Sequence, residues 1–301
     1  MRKTLLLALM AAGAWSGDAA AARSVVILRS SPLDAYAQAA GGFAALLAEK
    51  DKTVKITDIT LNDDGDSQRT AVASAEPSVI FVLGTRAAKY AKDAMLPANI
   101  VFCLVLDPSL LGPPAMGVTM DLNPDAFARG VAELIPGLKT AGTVYTPKSE
   151  KYFQSLSKAF AAEKIELKSA KISSVSGFDR ALDSVADEVN CFIMLPDPDI
   201  YFKQSSEKLI LEGLKRKFAV IGLSAYYTKA GALASFESDY SAAGAQAAGM
   251  AWELLNGKNP YTIPWETPEK LVYSINMVTA DRLDFKLPTE TLKRAQKVYG
   301  R

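Results

Sequence analysis

Short, almost wholly apolar segments alternate with segments of helical periodicity along this chain, and no other feature restricts the fold as strongly. Segments 79–83, 100–106, 191–195 and 218–223 are examples, and each is followed by a glycine, a proline or a small polar residue. Strands that are apolar on both faces are typical of parallel sheets covered by helices on both sides. The strand–helix succession occurs twice in tandem, so the sequence predicts an α/β protein with two similar lobes.

Chain length and net charge further restrict the number of lobes and the kinds of binding partner. A chain of 301 residues exceeds the usual size of one hydrophobic core, which also favours two lobes. The formal net charge is only +1, so we expect neither nucleic acid nor an anionic membrane as a partner. Cys103 and Cys191 each lie inside an apolar segment. Separate buried thiols are the favoured interpretation of these cysteines, and a disulfide is the alternative.

The first 22 residues have the pattern of a cleavable secretory signal peptide. Two basic residues follow Met1, an apolar run covers 4–14, and four alanines at 19–22 resemble a cleavage site. The run is too short to span a bilayer, and no cysteine near the cleavage site could take a lipid. We therefore expect an exported protein without a membrane anchor, located in the periplasm.

Several kinds of chemistry are excluded by composition. The sequence contains no histidine, which rules out Ser-His-Asp and Cys-His catalysis and histidine-ligated metals. Walker and dinucleotide-binding fingerprints are absent, and the acidic segment 62–67 lacks the spacing of a calcium loop. No metal or cofactor is expected.

Two neighbouring carboxylates, Asp197 and Asp199, allow more than one interpretation. They follow an apolar strand, and a glycosidase would use such a pair as acid and base. They are separated by one proline, however, whereas glycosidases place the two carboxyls on opposite sides of a sugar. The alternatives are that Asp199 caps a helix beginning near residue 200 and that Asp197 faces a cleft.

Polar groups at strand ends are the better candidates for a binding site, because the carboxyl ends of parallel strands lie at one edge of a sheet. Each could instead cap a helix or stabilise a turn. The candidates from the sequence are Ser30, Ser31, Thr85, Arg86, Asp107, Thr146, Asp197, Ser224 and Tyr226, together with Asp239 before the last long helix.

A set of spaced motifs resembles the uncharacterised ABC-transporter substrate-binding protein family, whose members include aromatic amino-acid binders. The matching segments are Gly-Thr-x-Ala-Ala at 84–88, Asp-Pro at 107–108, Gly-Val-Thr at 117–119, Lys-Ala-Gly-Ala-Leu-Ala-Ser at 229–235, Asp-Tyr at 239–240 and Leu-Leu-Asn-Gly at 254–257. The resemblance implies the type I periplasmic-binding fold, in which two Rossmann-like lobes are joined by three chain crossings. It places lobe one at 23–138 with 238–260, and lobe two at 139–237 with 261–301.

The resemblance also implies a role for the strand-end residues, which would line a cleft that closes on a ligand. Thr85 opens a helix and suits a ligand carboxylate. Asp107 and Asp239 are candidates for a ligand ammonium, although Asp239 is equally suited to cap the following helix. Tyr226 could stack on a ring or an apolar side chain. The sequence departs from the family pattern at 113–116 and at Glu237 and Ser238, next to Asp239.

From these features we expect a periplasmic solute-binding protein of an ABC importer. It would bind a small polar ligand, an amino acid or a similar carboxylated compound, act as a monomer and dock on a membrane permease. It would not be an enzyme. One alternative is a sensory protein of the same fold that presents its ligand to a membrane receptor. The second is an exported hydrolase that uses Asp197 with another carboxylate.

Overall fold

The computed structural model describes residues 23–62, 64–96 and 98–300, which form two α/β lobes. The expected signal peptide, residues 1–22, lies outside this part of the chain. Lobe one is built on a five-stranded parallel sheet in the order β2-β1-β3-β4-β5. Its elements are β1 (Ser24–Arg29), α1 (Asp34–Lys50), β2 (Lys55–Thr60), α2 (Gly65–Ser74), β3 (Val79–Leu83), α3 (Thr85–Asp93), β4 (Asn99–Cys103) and β5 (Met116–Val118).

Lobe two contains a seven-stranded sheet in the order β12-β11-β10-β9-β8-β6-β7. Only the β10–β11 pair is antiparallel among the described pairings. From residue 124 onward the elements, which include helix α9 of lobe one, are in chain order α4 (Pro124–Leu134), β6 (Thr140–Tyr145), α5 (Glu150–Ala162), β7 (Glu166–Lys171), α6 (Phe178–Ala186), β8 (Cys191–Ile193), α7 (Lys203–Arg216), β9 (Ala219–Gly222), α8 (Ala225–Ala230), β10 (Ala234–Ser238), α9 (Tyr240–Leu255), β11 (Leu271–Asn276), α10 (Met277–Arg282), α11 (Thr289–Arg294) and β12 (Lys297–Tyr299).

Helix α9 follows a lobe-two strand but packs in lobe one, against α1. The two helices approach so closely that a Cβ on Gly42 would lie 1.9 Å from the carbonyl oxygen of Ser241. A Cβ on Gly244 would lie 1.9 Å from the carbonyl oxygen of Ala39. The two glycines therefore allow the backbone contact that holds α9 in lobe one.

The first crossing between the lobes lies at 119–123, earlier than the boundary expected after residue 138. Helix α4, which the sequence assigned to lobe one, packs in the core of lobe two. The ring of Phe127 lies 6.3 Å from that of Phe160 and 5.3 Å from that of Phe236, both in lobe two. An amphipathic helix can cover either sheet, so its own pattern does not indicate its lobe.

The third crossing comes later than the boundary expected after residue 260. Glu266 pairs with Val118 beside β5, and the indole Nε1 of Trp265 donates to the carbonyl of Ala115 at 2.9 Å. Glu266 therefore adds one bridge to the edge of the lobe-one sheet, and Trp265 anchors the segment there. The chain re-enters lobe two only at about 267–270, where it leads into β11.

Hydrogen bonds tie the three crossings together. The amide of Asn123 donates to the hydroxyl of Thr267 at 3.2 Å, which joins the first and third crossings. The second crossing lies between β10 and α9, at Asp239. The backbone N–H of Asp239 donates to the carbonyl of Lys270 at 3.0 Å, and their side chains form an ion pair at 2.7 Å, which joins the second and third crossings. This arrangement is a three-segment hinge between the lobes.

Each lobe has its own apolar core, and the two cysteines lie in different ones. Cys103 is in β4 and Cys191 in β8, and both are buried free thiols. The disulfide alternative is therefore wrong, and separate buried thiols are confirmed. Burial raises the pKa of Cys103 to about 12 and also raises that of Cys191, so both thiols stay protonated at neutral pH.

Two local predictions from the sequence need correction. The amphipathic pattern after Pro288 predicts one helix over 289–298, but α11 ends at Arg294 and the chain continues as β12, which pairs with β11. The residues after the apolar segment 218–223 predict a loop that carries Tyr226 and Tyr227, but both tyrosines lie in the short helix α8. Within the described chain, no helix combines the length and the apolar character needed to cross a bilayer.

Candidate functional site

The lobes face each other across a cleft, and a small cavity of about 100 Å³ marks its floor. This cleft floor is lined from both lobes and from the crossings, by Leu104, Met120, Leu122, Pro196, Leu223, Glu237, Ser238 and Tyr240. Most of these residues follow the carboxyl end of a strand, which is where open α/β sheets bind ligands. The floor is therefore the natural centre of a candidate ligand site.

A larger cavity of about 350 Å³ continues from the floor into lobe one, and we call it the lobe-one pocket. Its lining residues are Ser30, Leu33, Ala35, Tyr36, Thr85, Arg86, Leu104, Leu106, Met120 and Tyr240. Three of them, Leu104, Met120 and Tyr240, also line the floor. The floor and the pocket together form one concave surface of the size that small-molecule sites have.

Three hydroxyls of the lobe-one pocket lie around the start of α3, and they belong to Ser30, Tyr36 and Thr85. The Oγ of Ser30 accepts a hydrogen bond from the N–H of Ala87 at 2.9 Å. The Oγ1 of Thr85 accepts one from the N–H of Leu106 at 3.1 Å. Because a hydroxyl that accepts a hydrogen bond can still donate its own proton, Ser30 and Thr85 can donate to a ligand oxygen.

Gly84 allows these hydroxyls to come together. Its φ is +87°, and a Cβ at this position would lie 2.3 Å from the hydroxyl of Tyr36 and 2.6 Å from that of Ser30. Helix α3 begins at the next residue, so its first-turn N–H groups lie at the same end of the pocket. N–H groups and hydroxyl donors in this arrangement suit a carboxylate.

Apolar side chains form the rest of the lobe-one wall, and several are exposed. Leu33 is 56% exposed, Leu106 79% and Met120 41%. A cluster of exposed apolar side chains inside a cleft is typical of a binding surface, since water contact with them is unfavourable. The pocket therefore combines an anion-binding end with an apolar wall.

In lobe two, the strand-end polar groups bind one another instead of facing the cleft. The Oδ2 of Asp197 accepts hydrogen bonds from the N–H and the hydroxyl of Thr146, at 3.1 and 2.7 Å, and from the hydroxyl of Ser149 at 2.5 Å. Its Oδ1 accepts one from the N–H of Asp199 at 3.1 Å. Asp197 and Thr146 are each 2% exposed. The carboxylate thus has a full set of protein donors and ties the ends of β6 and β8 together.

Asp199 does not cap a helix, so that prediction is wrong. Helix α7 begins only at Lys203, after Phe202, which offers no side-chain cap. Asp199 instead forms an exposed ion pair with Lys148 at 2.8 Å. Since Asp197 is buried and Asp199 faces solvent, the two carboxylates are not arranged as an acid and base around a substrate.

Asp107 and Asp239 both act as caps. The carboxylate of Asp107 accepts hydrogen bonds from the N–H and the hydroxyl of Ser109, at 3.0 and 2.5 Å, at the start of a 3₁₀ turn. That of Asp239 accepts one from the N–H of Ala242 at 3.1 Å, at the start of α9. Burial acts to raise the pKa of Asp239, but its bonds to Lys270 and Ala242 outweigh burial and hold the pKa below its usual value.

Glu237 is the carboxylate that lines the cleft floor. It is half-buried on β10 and has no cationic partner among the described ion pairs. Burial raises its pKa above the usual value, although the nearby N–H of Ala225 and hydroxyl of Tyr240 act to lower it. The floor of the cleft therefore contains one carboxyl group, and burial makes that group harder to ionise.

Among the remaining candidates, Ser31, Ser224 and Tyr226 line neither the cleft floor nor the lobe-one pocket. Ser31 is half-buried just after β1. The exposed Arg86 lines the pocket, and its guanidinium donates to the carbonyl of Asn62 at 2.6 Å. Ser224 precedes α8 without capping it. Tyr226 is 52% exposed on α8, with its ring nearly perpendicular to that of the neighbouring tyrosine.

A further cavity of about 420 Å³, the hinge-side cavity, lies beside the first crossing. It shares Leu122 and Pro196 with the cleft floor, and Lys148, Lys151 and Tyr152 of lobe two also line it. Across residues 23–62, 64–96 and 98–300, no group of three or more acidic, cysteine or histidine side chains is arranged to hold a metal ion.

The sequence interpretation missed two residues of the site. Tyr36 lies in the first turn of α1, just after the Ser30 strand end, and this position was the available signal. Glu237 lies in the alternating strand β10, whose sequence is ASFES. Its flanking residues Phe236 and Ser238 are buried, so the alternation does place Glu237 on the opposite face.

A family model described as ABC transporter substrate binding protein matches residues 25–299. No curated protein sequence matches the chain.

Several solved structures have a similar fold. The ligand-free, open structure of a substrate binding protein with adhesive properties from Clostridium difficile is 18% identical, with a TM-score of 0.68 over 93% of this chain and 100% of that one. A mutant of the XylFII-LytSN complex is 12% identical, with a TM-score of 0.58 over 86% and 99%. The ABC domain in complex with L-Trp from Streptococcus pneumonia is 19% identical, with a TM-score of 0.54 over 92% and 99%. At these identities the likeness shows the fold, which is that of type I periplasmic binding proteins.

Proposed function

The chain belongs to the ABC transporter substrate binding protein family, and from this premise we propose that it is the periplasmic solute-binding component of an ABC importer. Its ligand is a small carboxylated solute, of which an amino acid is the leading candidate, and it binds between the two lobes. The observation that carries this proposal is the lobe-one pocket, where the hydroxyls of Ser30, Tyr36 and Thr85 surround the start of α3 beside an apolar wall.

The fold supports a simple mechanism. The lobes are joined only by three short crossings, so rotation about them closes the cleft without unfolding either core. Closure removes the ligand from water and strengthens each hydrogen bond to it, which gives selectivity from few contacts. The closed monomer then docks on a membrane permease, and the transporter supplies ATP hydrolysis. The segment 1–22 supports export, since it has the pattern of a signal peptide.

The ligand class also has support from the structural neighbours. One of the similar structures was solved in complex with L-Trp. An apolar wall next to an anion-binding end is the arrangement expected for an amino acid with an apolar side chain. In our proposal the carboxylate lies at the start of α3, and the side chain lies against Leu33, Leu106 and Met120.

A sensory role remains a second candidate. A chain of similar fold occurs in a complex named XylFII-LytSN, so this fold can serve a partner other than a permease. A permease and an ATPase encoded beside the gene would support the importer, whereas a neighbouring membrane receptor would support the sensor. The hydrolase alternative has less support, because the carboxylate of Asp197 is buried and engaged by protein donors.

A thermal-shift screen of amino acids, dipeptides, nucleosides and sugars tests the proposal. A ligand present at 100 times its dissociation constant should stabilise the protein by about 2.7 kcal/mol. For lobes of this size, that corresponds to a rise in melting temperature of several degrees. If no compound class raises the melting temperature, the proposal of solute binding is contradicted.

A further inference from the structure

Glu237 is in an unusual electrostatic position. It lines the cleft floor and is half-buried, and the groups near its carboxylate include the N–H of Ala225 and the hydroxyl of Tyr240, which carry no charge. No lysine or arginine pairs with it among the described ion pairs. Carboxylates in partly buried sites are normally paired with a cation or supplied with several donors, because desolvating a charge is costly.

Three cations of the cleft and hinge region have other partners. Lys270 pairs with Asp239 at the hinge, and Lys148 pairs with Asp199 on lobe two. The guanidinium of Arg86 donates to a backbone carbonyl at the rim of the lobe-one pocket. None of these three cations pairs with Glu237 among the described ion pairs, and the carboxylate lines the space that a solute would occupy.

Closure of the lobes increases this imbalance. When the cleft shuts, Leu104 and Met120 of the lobe-one side and Pro196 and Leu223 of lobe two enclose the floor. The dielectric constant around Glu237 then falls, and an unpaired carboxylate becomes less stable there. A positive charge on the solute would remove the penalty, so a cationic group favours the closed form over the open one.

We propose that Glu237 recognises a protonated amine, and that the solute of this protein is an ammonium compound with an apolar body. This inference rests on the proposed function and names the solute class for the same cleft. It replaces Asp107 and Asp239, the two carboxylates that the sequence favoured for an ammonium, because both are used as caps. Glu237 is thus a specificity-determining residue.

The hydrogen-bonding capacity of Glu237 fits an ammonium better than a metal ion. A carboxylate offers about four lone-pair positions, and that of Glu237 lines the cavity without a cation among the described ion pairs. Positions that face the cavity can accept from an ammonium, which carries three donors. A hard cation such as Ca²⁺ needs six to eight oxygen ligands, and Glu237 is the sole acidic residue of the cleft floor.

A matched series of compounds tests the proposal, with binding measured by isothermal titration calorimetry on the full mature chain. The probes are L-phenylalanine, 3-phenylpropionate, which lacks the amine, and phenethylamine, which lacks the carboxylate. L-Leucine, 4-methylvalerate and isopentylamine form a second set, and arabinose is the neutral control. For a hit from the wider screen, its des-amino analogue is added.

We expect an amine-bearing probe to bind and its des-amino analogue to bind at least tenfold more weakly. The variant Glu237→Gln keeps the shape of the side chain but removes the charge and replaces one acceptor oxygen with an NH2 donor, so it should weaken the amine-bearing probe at least tenfold. Asp199→Asn is the matched control, because it neutralises a carboxylate outside the cleft floor, and it should leave affinity unchanged. A thermal melt of each variant verifies that it folds.

The outcomes separate this inference from the function on which it rests. Equal binding of an amino acid and its des-amino analogue, or unchanged affinity in Glu237→Gln, overturns the role of Glu237 while solute binding stands. Binding of a ligand without a basic nitrogen, such as arabinose, also overturns the role of Glu237 while solute binding stands. Absence of binding by every probe and by the wider screen overturns both.

Discussion

The two lobes line the cleft differently, although both have polar side chains at the carboxyl ends of parallel strands. In lobe one, Ser30 and Thr85 accept one hydrogen bond each from the backbone and keep their protons available, and Leu106 beside them is exposed. In lobe two, Thr146 and Asp197 are buried and hydrogen-bonded to each other. The same position in a βα unit therefore serves binding in one lobe and internal stability in the other.

The two lobes therefore have different roles in ligand binding. Lobe one and the second crossing provide the groups that select a solute, whereas lobe two provides a rigid surface that closes over it. A polar residue at a strand end is thus not sufficient evidence of a ligand contact. The burial of the residue and its hydrogen-bond partners within the protein determine whether it can contact a ligand.

The largest effect is expected from Asp197→Ala in lobe two. The substitution leaves the hydroxyls of Thr146 and Ser149 and two backbone N–H groups without their acceptor. It should lower the free energy of unfolding by about 3 kcal/mol or more, measured by urea denaturation. Asp199→Ala, which removes only an exposed ion pair, should cost less than about 1 kcal/mol. If Asp197→Ala kept full stability and lost only ligand affinity, the contrast between the lobes would be wrong.

A pair of threonine variants tests the contrast more directly. Thr85→Ala should weaken solute binding by about 1 kcal/mol, or roughly fivefold, because it removes one donor to the ligand carboxylate. Thr146→Ala should reduce stability by about 1.5–3 kcal/mol, since its hydroxyl donates to a buried carboxylate, and should change affinity little. Calorimetric titration and urea denaturation of both proteins check this. A loss of affinity in Thr146→Ala alone would reverse the assignment of the two lobes.

The hinge carboxylate Asp239 should show an ordinary acidic pH dependence. Its pKa in the folded protein lies below the unfolded value, so its stabilising effect is full above the unfolded pKa and disappears as the pH falls through the folded pKa. Asp239→Ala should cost about 1 kcal/mol at neutral pH through loss of the α9 cap. Denaturation curves measured from neutral to acidic pH should show this cost shrinking, and a cost that is constant with pH would contradict the account.

The neighbouring Glu237 should behave in the opposite way, with the smallest effect. Burial raises its pKa in the folded protein, so the ionised form reduces stability at neutral pH, and stability is regained as the pH falls through that raised pKa. Glu237→Gln should therefore raise the melting temperature slightly at neutral pH, and the gain should vanish on acidification. A lower melting temperature at neutral pH would show that the carboxylate stabilises the fold instead of recognising a solute.

The fold was predictable where the sequence constrains it locally. Wholly apolar strands such as Val79–Leu83 must be buried on both faces, which requires a layer of helices on each side of the sheet. The α/β class follows from these strands, and the two lobes follow from their repetition along the chain. The crossings were not predictable to the same degree. Helix α4 has one apolar face, and nothing in that face says which sheet it covers. Residues 297–299 form a strand only because β11 offers an unpaired edge.

The site was predictable in position but not in detail. The strand ends identified Ser30 and Thr85, because the carboxyl edge of a sheet follows from strand direction alone. Whether a side chain such as Asp197 turns toward the cleft or toward its own lobe depends on which donors lie nearby in space. Those donors come from residues about 50 positions away, so no local pattern contains them.

Closure of the two lobes on a solute is the central claim, and a distance measurement across the cleft tests it most directly. Spin labels at Lys89→Cys in α3 and Lys229→Cys in α8 place one exposed label on each lobe, while the native Cys103 and Cys191 are buried and protonated and remain unlabelled. Double electron–electron resonance is then recorded with and without a bound amine-bearing amino acid. The account predicts a shift to a shorter and narrower distance distribution on binding. An unchanged distribution in the presence of saturating, calorimetrically verified ligand would contradict it.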